Sequence, residues 1–138
     1  ADKAIVVLVK TSNPSSGVVQ DVVLQNGQPL WRHILDLVVN RWNRNENMIP
    51  VLSSTVGLNM AEIRPLIPDE MPILLAGVGA QGGNYADLRN LLNYENVGVF
   101  VNSSRGILYP QSREPWLIAI EKATIELKES LNNERRAR

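Results

Sequence analysis

Cysteine is absent from this sequence, and histidine occurs once, as His33. The first absence removes disulfides, thiol nucleophiles and thiolate metal sites. The second removes the multi-histidine zinc and iron constellations, so no metal is expected. Neither sign of charge is in excess, with Lys+Arg 14 against Asp+Glu 14. That balance argues against a nucleic-acid partner and against an acidic solvating tail. Long hydrophobic runs are missing too. Residues 4–9 and 73–76 hold the longest ones, far short of the ~20 residues a membrane span requires. No cationic start leads into a signal-peptide core, so a reducing, cytoplasmic setting is expected. What remains is ordinary globular composition, 44% hydrophobic and 20% charged over 138 residues. A chain of this length makes one domain at most, since domains run to about 100–150 residues.

Four short β-rich runs recur. They are Ile5-Val6-Val7-Leu8-Val9, Ile49-Pro50-Val51-Leu52, Ile73-Leu74-Leu75 and Val97-Gly98-Val99-Phe100-Val101. Each is nearly continuous in apolar residues, the pattern of strands buried on both faces. Pro50 is out of place in such a strand, because proline donates nothing to a ladder. Helical patterns lie between the runs. Pro29 opens one, and Leu30, Ile34, Val38 and Trp42 repeat along it at a spacing of four, with His33 in a helix-surface or packing role. Asn59 with Glu62, and Asn84 with Asp87, have the spacing of capping boxes. The last helix starts near Pro115 and carries Trp116, Ile120, Leu127 and Leu131 on one face, with Lys122 and Glu126 as an outer i,i+4 pair. A domain over residues 1–134 and a frayed basic tail over 135–138 are expected.

The chain thus reads β-α-β-α-β-α-β-α, which implies a parallel sheet with right-handed crossovers. An open doubly wound sheet is one solution. The other is part of a (β/α)₈ barrel, whose eight units take about 250 residues; four units are half of it. In either case the ligand belongs at the C-terminal ends of the strands. The segments there are Lys10-Thr11-Ser12-Asn13-Pro14, Ser53-Ser54-Thr55, Gly77-Val78-Gly79-Ala80-Gln81-Gly82-Gly83 and Asn102-Ser103-Ser104-Arg105-Gly106. Missing β-carbons in the third let backbone N–H groups approach an anion closely, and a helix follows. Arg105 in the fourth offers a planar fork suited to phosphate. Together they form a candidate phosphate grip; the alternative is two tight turns with Arg105 in a surface ion pair. Gly77-x-Gly79-x-x-Gly82 also matches a dinucleotide fingerprint. That fingerprint opens the first strand–helix unit of a nicotinamide-dinucleotide domain, whereas only one strand follows it here.

Three of these segments, Val9 to Pro14, Gly77 to Gly83 and Val101 to Tyr109, resemble orotidine 5′-phosphate decarboxylase, most closely the bacterial subgroup with a TSNP sequence after strand five. The resemblance spans nearly the whole chain and implies an α/β fold of four consecutive β/α units, the C-terminal half of a (β/α)₈ TIM barrel. It implies a cofactor-free enzyme that converts orotidine 5′-monophosphate to uridine 5′-monophosphate in pyrimidine biosynthesis. By the same resemblance Gln81 and Arg105 contact the phosphate, with the Ser104 backbone N–H beside Arg105, and Ser12 bonds the pyrimidine. Gly79, Ala80, Gly82 and Gly83 then belong to the mobile phosphate loop, closed with the help of binding energy remote from the reacting carbon. Two departures are visible: Ala76 stands where many members have proline, and Ser53-Ser54-Thr55 replaces Gly-Ala-Thr.

The family's D-x-K-x-x-D array of catalytic residues is not in this sequence, whose lysines are Lys3, Lys10, Lys122 and Lys128. No catalytic residue is therefore assigned, and the isolated chain is expected to be inactive. Lys10 shares strand parity with Ser12, in either a supporting ion pair or a catalytic role. Half a barrel leaves two sheet edges and one end of its core facing water. A partner is expected for them, either the missing N-terminal half or a second copy in a homo-oligomer. A non-catalytic phosphate-binding or assembly module is the further alternative.

Overall fold

The four apolar runs become the four strands of one parallel sheet, β1 (Ile5–Leu8), β2 (Met48–Ser53), β3 (Ile73–Ala76) and β4 (Val99–Asn102). The structure, a computed structural model, describes residues 2–78 and 83–137. Between the strands lie α1 (Ser16–Gln20), α2 (Leu30–Leu37), α3 (Met60–Ile63) and α4 (Ala86–Leu91); α5 (Ser104–Leu108) and α6 (Trp116–Arg136) follow β4. The strand order is β1-β2-β3-β4, every neighbour parallel. Sequential order is barrel order. A dinucleotide crevice needs the point at which strand order reverses, and among the described residues this sheet has none.

Pro50 sits inside β2 at no cost to the ladder. Val51 turns toward β1, where its carbonyl accepts from Val9 N at 3.2 Å. Pro50, one residue earlier, therefore turns toward β3, and pairing with β3 starts only at Val51↔Leu74.

Alternation along the strands separates two faces. Val9, Leu52, Ile73 and Leu75 are fully buried and meet Leu35, Val38, Met60, Ile63, Leu88 and Leu91 from the helices. That layer is the core. The opposite face of the edge strands is open, with Val6 51%, Leu8 63% and Phe100 59% exposed. Burial on both faces, expected from the continuous apolar runs, holds for β2, where Val51 and Ser53 are buried like Leu52. It is corrected for the inner face of the edge strands β1 and β4, which no described residue covers.

The helices depart from the expected stripes in two places. A π-helical turn over Val38–Trp42 continues α2. Its wider turn moves Trp42 out of phase with Leu30 and Ile34, leaving it 47% exposed, while Leu35 takes the buried position. On α6, Ala119 is the buried residue, and Trp116 is exposed with its indole N–H donating to Leu108 O at 3.1 Å. Lys122 pairs with Glu114 in the preceding loop rather than with Glu126. The helix also continues through Arg136, past the frayed tail expected from residue 135. An Arg89–Glu134 ion pair ties its last turns to α4. No helix among the described residues is long and apolar enough to cross a membrane.

The two faces predict different mutational costs. Leu52→Ala should destabilise by ~2–5 kcal/mol, the range for a fully enclosed leucine. Leu8→Ala should cost below about 1 kcal/mol, because little water is excluded from that side chain. Urea unfolding of both variants checks this, and equal costs would mean that the inner face is packed.

Candidate functional site

Register places the inward-facing side chains in rows. Leu8, Val51, Leu74 and Phe100 form one row across the sheet, through the pairs Leu8↔Val51, Val51↔Leu74 and Leu74↔Phe100. One step toward the C-terminal ends, Ser53↔Ala76 and Ala76↔Asn102 continue the next row, and Lys10 stands two residues beyond Leu8 on the same face. The inner face therefore changes from apolar to polar where the strands end. A cavity of about 310 Å³ opens there, lined by Lys10, Thr11, Ser12, Ser53, Ala76 and Asn102 with the apolar row beneath. Such a mixture of apolar floor and few polar groups is what small-molecule sites are built from.

Ser12 lies in this cavity, as its position after the first strand implies. Lys10 faces it as well, in agreement with its strand parity. Its ammonium is 2.7 Å from Asp21 Oδ1, and the residue is buried. Between the two alternatives for Lys10, the geometry is that of the ion pair. Asn102 was not singled out in the sequence, although its parity with Phe100 is the signal that puts it on the inner face. Its Oδ1 accepts from the Ser104 hydroxyl at 3.3 Å, which links the cavity to the start of α5.

Arg105 does not share that cavity. It lines a separate groove of about 740 Å³ between α5, the following loop and α6, together with Tyr109, Glu114, Lys122 and Glu126. Its guanidinium forms no ion pair among the described residues, so the expected alternative of a surface ion pair at Arg105 finds no partner there. Gly79, Ala80, Gln81 and Gly82 lie outside the described residues.

The neck of that glycine-rich segment is described. Gly83 N donates to Gly77 O at 3.1 Å, and Val78 bridges to Gly83 in parallel. Ser54 stands against it, with its N and Oγ donating to Ala76 O at 3.0 and 3.3 Å. Gly77 adopts φ +84°, and a β-carbon there would lie 3.1 Å from Thr55 Cγ2 and 3.3 Å from Ser53 Oγ. Only glycine combines that backbone with that proximity. Ser53 and Thr55 hold each other across 3.0 Å. The Ser-Ser-Thr segment thus has two employments: Ser53 lines the cavity and Ser54 braces the neck. Beyond the neck, Asn84 Oδ1 accepts from Ala86 N at 2.9 Å at the start of α4. Burial there pushes the Asp87 carboxyl above its usual range.

No protein-family model matches the chain. Individual proteins do. The chain is 36% identical over 135 residues to an orotidine 5′-phosphate decarboxylase of Bordetella petrii, covering 97% of this chain and 50% of that protein. With the orotidine 5′-phosphate decarboxylase of Herpetosiphon aurantiacus it shares 37% over 136 residues, 96% of this chain and 49% of the relative. The chain spans about half the length of the curated relatives it matches. Among solved structures, Leishmania donovani UMP synthase superposes with a TM-score of 0.79 at 30% identity, over 97% of this chain and 28% of that one. Leishmania donovani OMP decarboxylase gives 0.77 at 27%, over 97% and 49%. The resemblance read from the motifs is borne out: in sequence and in fold this chain matches one half of orotidine 5′-phosphate decarboxylases.

The neck yields a prediction. A β-carbon at Gly83 would lie 1.9 Å from Ser54 Oγ and 2.4 Å from Gly77 O. Gly83→Ala should destabilise by ~1–3 kcal/mol, as forced overpacking does. Adding Ser54→Ala removes the hydroxyl but not the carbonyl, so thermal melts should show partial recovery; full recovery would mean that Gly77 O yields freely.

Proposed function

We propose that this chain is the phosphate- and pyrimidine-binding C-terminal half of an orotidine 5′-phosphate decarboxylase. The observation that carries the reading is the polar rim at the C-terminal ends of four sequential parallel strands, together with similarity to half of each decarboxylase relative. In the full reaction the bond from the pyrimidine ring to its carboxylate breaks, carbon dioxide leaves, and the electron pair stays on the ring carbon until a lysine protonates it. Pre-placed charges stabilise that carbon, and no cofactor takes part. The Lys/Asp array that does this belongs to the complementary N-terminal half.

On this reading Ser12 bonds the pyrimidine from the cavity, Arg105 and Gln81 grip the phosphate, and Ser104 adds its backbone N–H. Gly79, Ala80, Gly82 and Gly83 form the phosphate loop, and Gly77, Gly83 and Ser54 set the neck from which it springs. Arg105 reaches the phosphate from the outer groove, its fork not engaged by any described carboxylate. The exposed inner face and the two unpaired edge strands take the complementary half, or in its absence a second copy of the chain. Apolar exposure at Val18, Val19, Val22 and Val23 after β1, and at Leu117, Ile118 and Ile125 on α6 after β4, supports contacts at both edges. A cytoplasmic location fits a cofactor-free nucleotide enzyme without cysteine.

Thermal unfolding with uridine 5′-monophosphate tests the reading. The nucleotide should raise the melting temperature, and Arg105→Ala should weaken binding by about tenfold or more, since hydrogen bonds to charged groups contribute ~1.5–3 kcal/mol. Protection by a nicotinamide dinucleotide instead would transfer the chain to the other nucleotide class. Steady-state assay of the isolated chain with orotidine 5′-monophosphate should show no turnover; rates like those of full-length relatives would refute the division of labour. Sedimentation should show an assembly larger than the monomer, and a cooperatively folded monomer would count against the open-edge argument.

A further inference from the structure

The turn that carries Ser12 is tied at its root by two consecutive residues at the end of α1. Thr11 N donates to Gln20 Oε1 at 3.0 Å, and Lys10 Nζ meets Asp21 Oδ1 at 2.7 Å. Inside the turn, Thr11 Oγ1 bonds Asn13 Oδ1 at 2.6 Å, and Ser16 N donates to Asn13 O at 2.9 Å. Lys10 is only 4% exposed, whereas the Asp21 side chain is 53% exposed. Lys10 lines the cavity beside Ser12, whereas Asp21 does not. The ammonium is therefore engaged by a carboxylate that lies outside the cavity lining. A buried ammonium without that carboxylate would be left uncompensated, so the lysine and the helix end are held to each other across eleven residues.

We propose that the Lys10–Asp21 pair is a positioning device that fixes the Thr11–Ser15 turn so that Ser12 meets the base of a pyrimidine nucleotide. This rests on the reading above, and it assigns Lys10 no proton-transfer step. An unanchored turn samples many conformations, and a hydrogen bond from Ser12 then has to be formed against that freedom. Arg105 lines a separate groove that no residue of this turn lines.

The test is Lys10→Met in the 138-residue chain, which keeps the buried stem, with Lys10→Arg as the conservative partner. Amide hydrogen exchange should quicken about tenfold or more in residues 11–16 of the methionine variant, while β2 and β3 amides stay unchanged. Affinity for uridine 5′-monophosphate should fall about tenfold, the worth of one hydrogen bond to the base. Affinity for ribose 5-phosphate, which has no base, should change less than about twofold, and Lys10→Arg should restore both behaviours. Equal loss for the two ligands, or unchanged exchange with unchanged nucleotide binding, would overturn the positioning role alone. If the unsubstituted chain binds neither ligand, the functional reading falls and this inference with it, whatever the exchange measurement gives.

Discussion

A parallel sheet has to be covered on both faces, and this constraint organises the rest of the molecule. Its strands are apolar on either side because crossover helices occupy one face and something else must occupy the other. Here the helices supply one layer, with Leu52, Ile73 and Leu75 sealed beneath them. Leu8 and Phe100 on the inner face are left to water. In a closed eight-stranded barrel those side chains fill the interior in layers. Leu8, Val51, Leu74 and Phe100 would contribute to such filling, and Ser53 and Asn102, two residues further along their strands, mark where the inner face turns polar. Core and site are therefore successive rows of one register.

The same geometry explains why the strands were legible and their surroundings were not. Continuous apolar runs identified all four, to within two residues at either end. They could not say which of the two faces would be covered within this chain, because a strand facing helices and a strand facing a barrel interior have the same composition. Pro50 was a warning about edge position that proved to concern timing: pairing with β3 begins one residue later. The stripe on α2 failed at Trp42 because a single π-helical turn shifts phase, and periodicity carries no sign of such a turn. Lys122 chose Glu114 over Glu126 because the loop before α6 folds back on the helix, a contact that local spacing cannot express.

Legibility at the candidate site followed a similar division. Position after the first strand pointed to the whole segment Lys10 to Pro14, the family resemblance alone singled out Ser12 within it, and parity with Ser12 pointed to Lys10. Asn102 obeyed the same parity rule through Phe100, but an asparagine among serines at a strand end attracts no attention until register places it in a cavity. The Ser-Ser-Thr departure from the family pattern is now physically interpretable. Ser54 fills space against the neck of the glycine-rich segment, where Gly83 has no room for a β-carbon. The hydroxyl and the glycine are complementary choices, and neither can be read without the other. Arg105 remains the residue whose groove is separate from the cavity, because α5 and the loop after it, not the strand ends, position its side chain.

If the nucleotide bridges a binding half and a catalytic half, affinity and assembly become one quantity. A ligand that touches both halves binds their complex more tightly than either part, and by linkage it strengthens their association by the same factor. Phosphate binding remote from the reacting carbon is useful to catalysis only when it is converted into closure around that carbon. In a single barrel the covalent chain guarantees that the two halves are present together. Whatever covers the open inner face of β1 and β4 therefore also sets the surroundings of the rim of Lys10, Ser12, Ser53 and Asn102. The apolar row beneath the site, exposed at Leu8 and Phe100, and the polar row above it are thus covered or uncovered together.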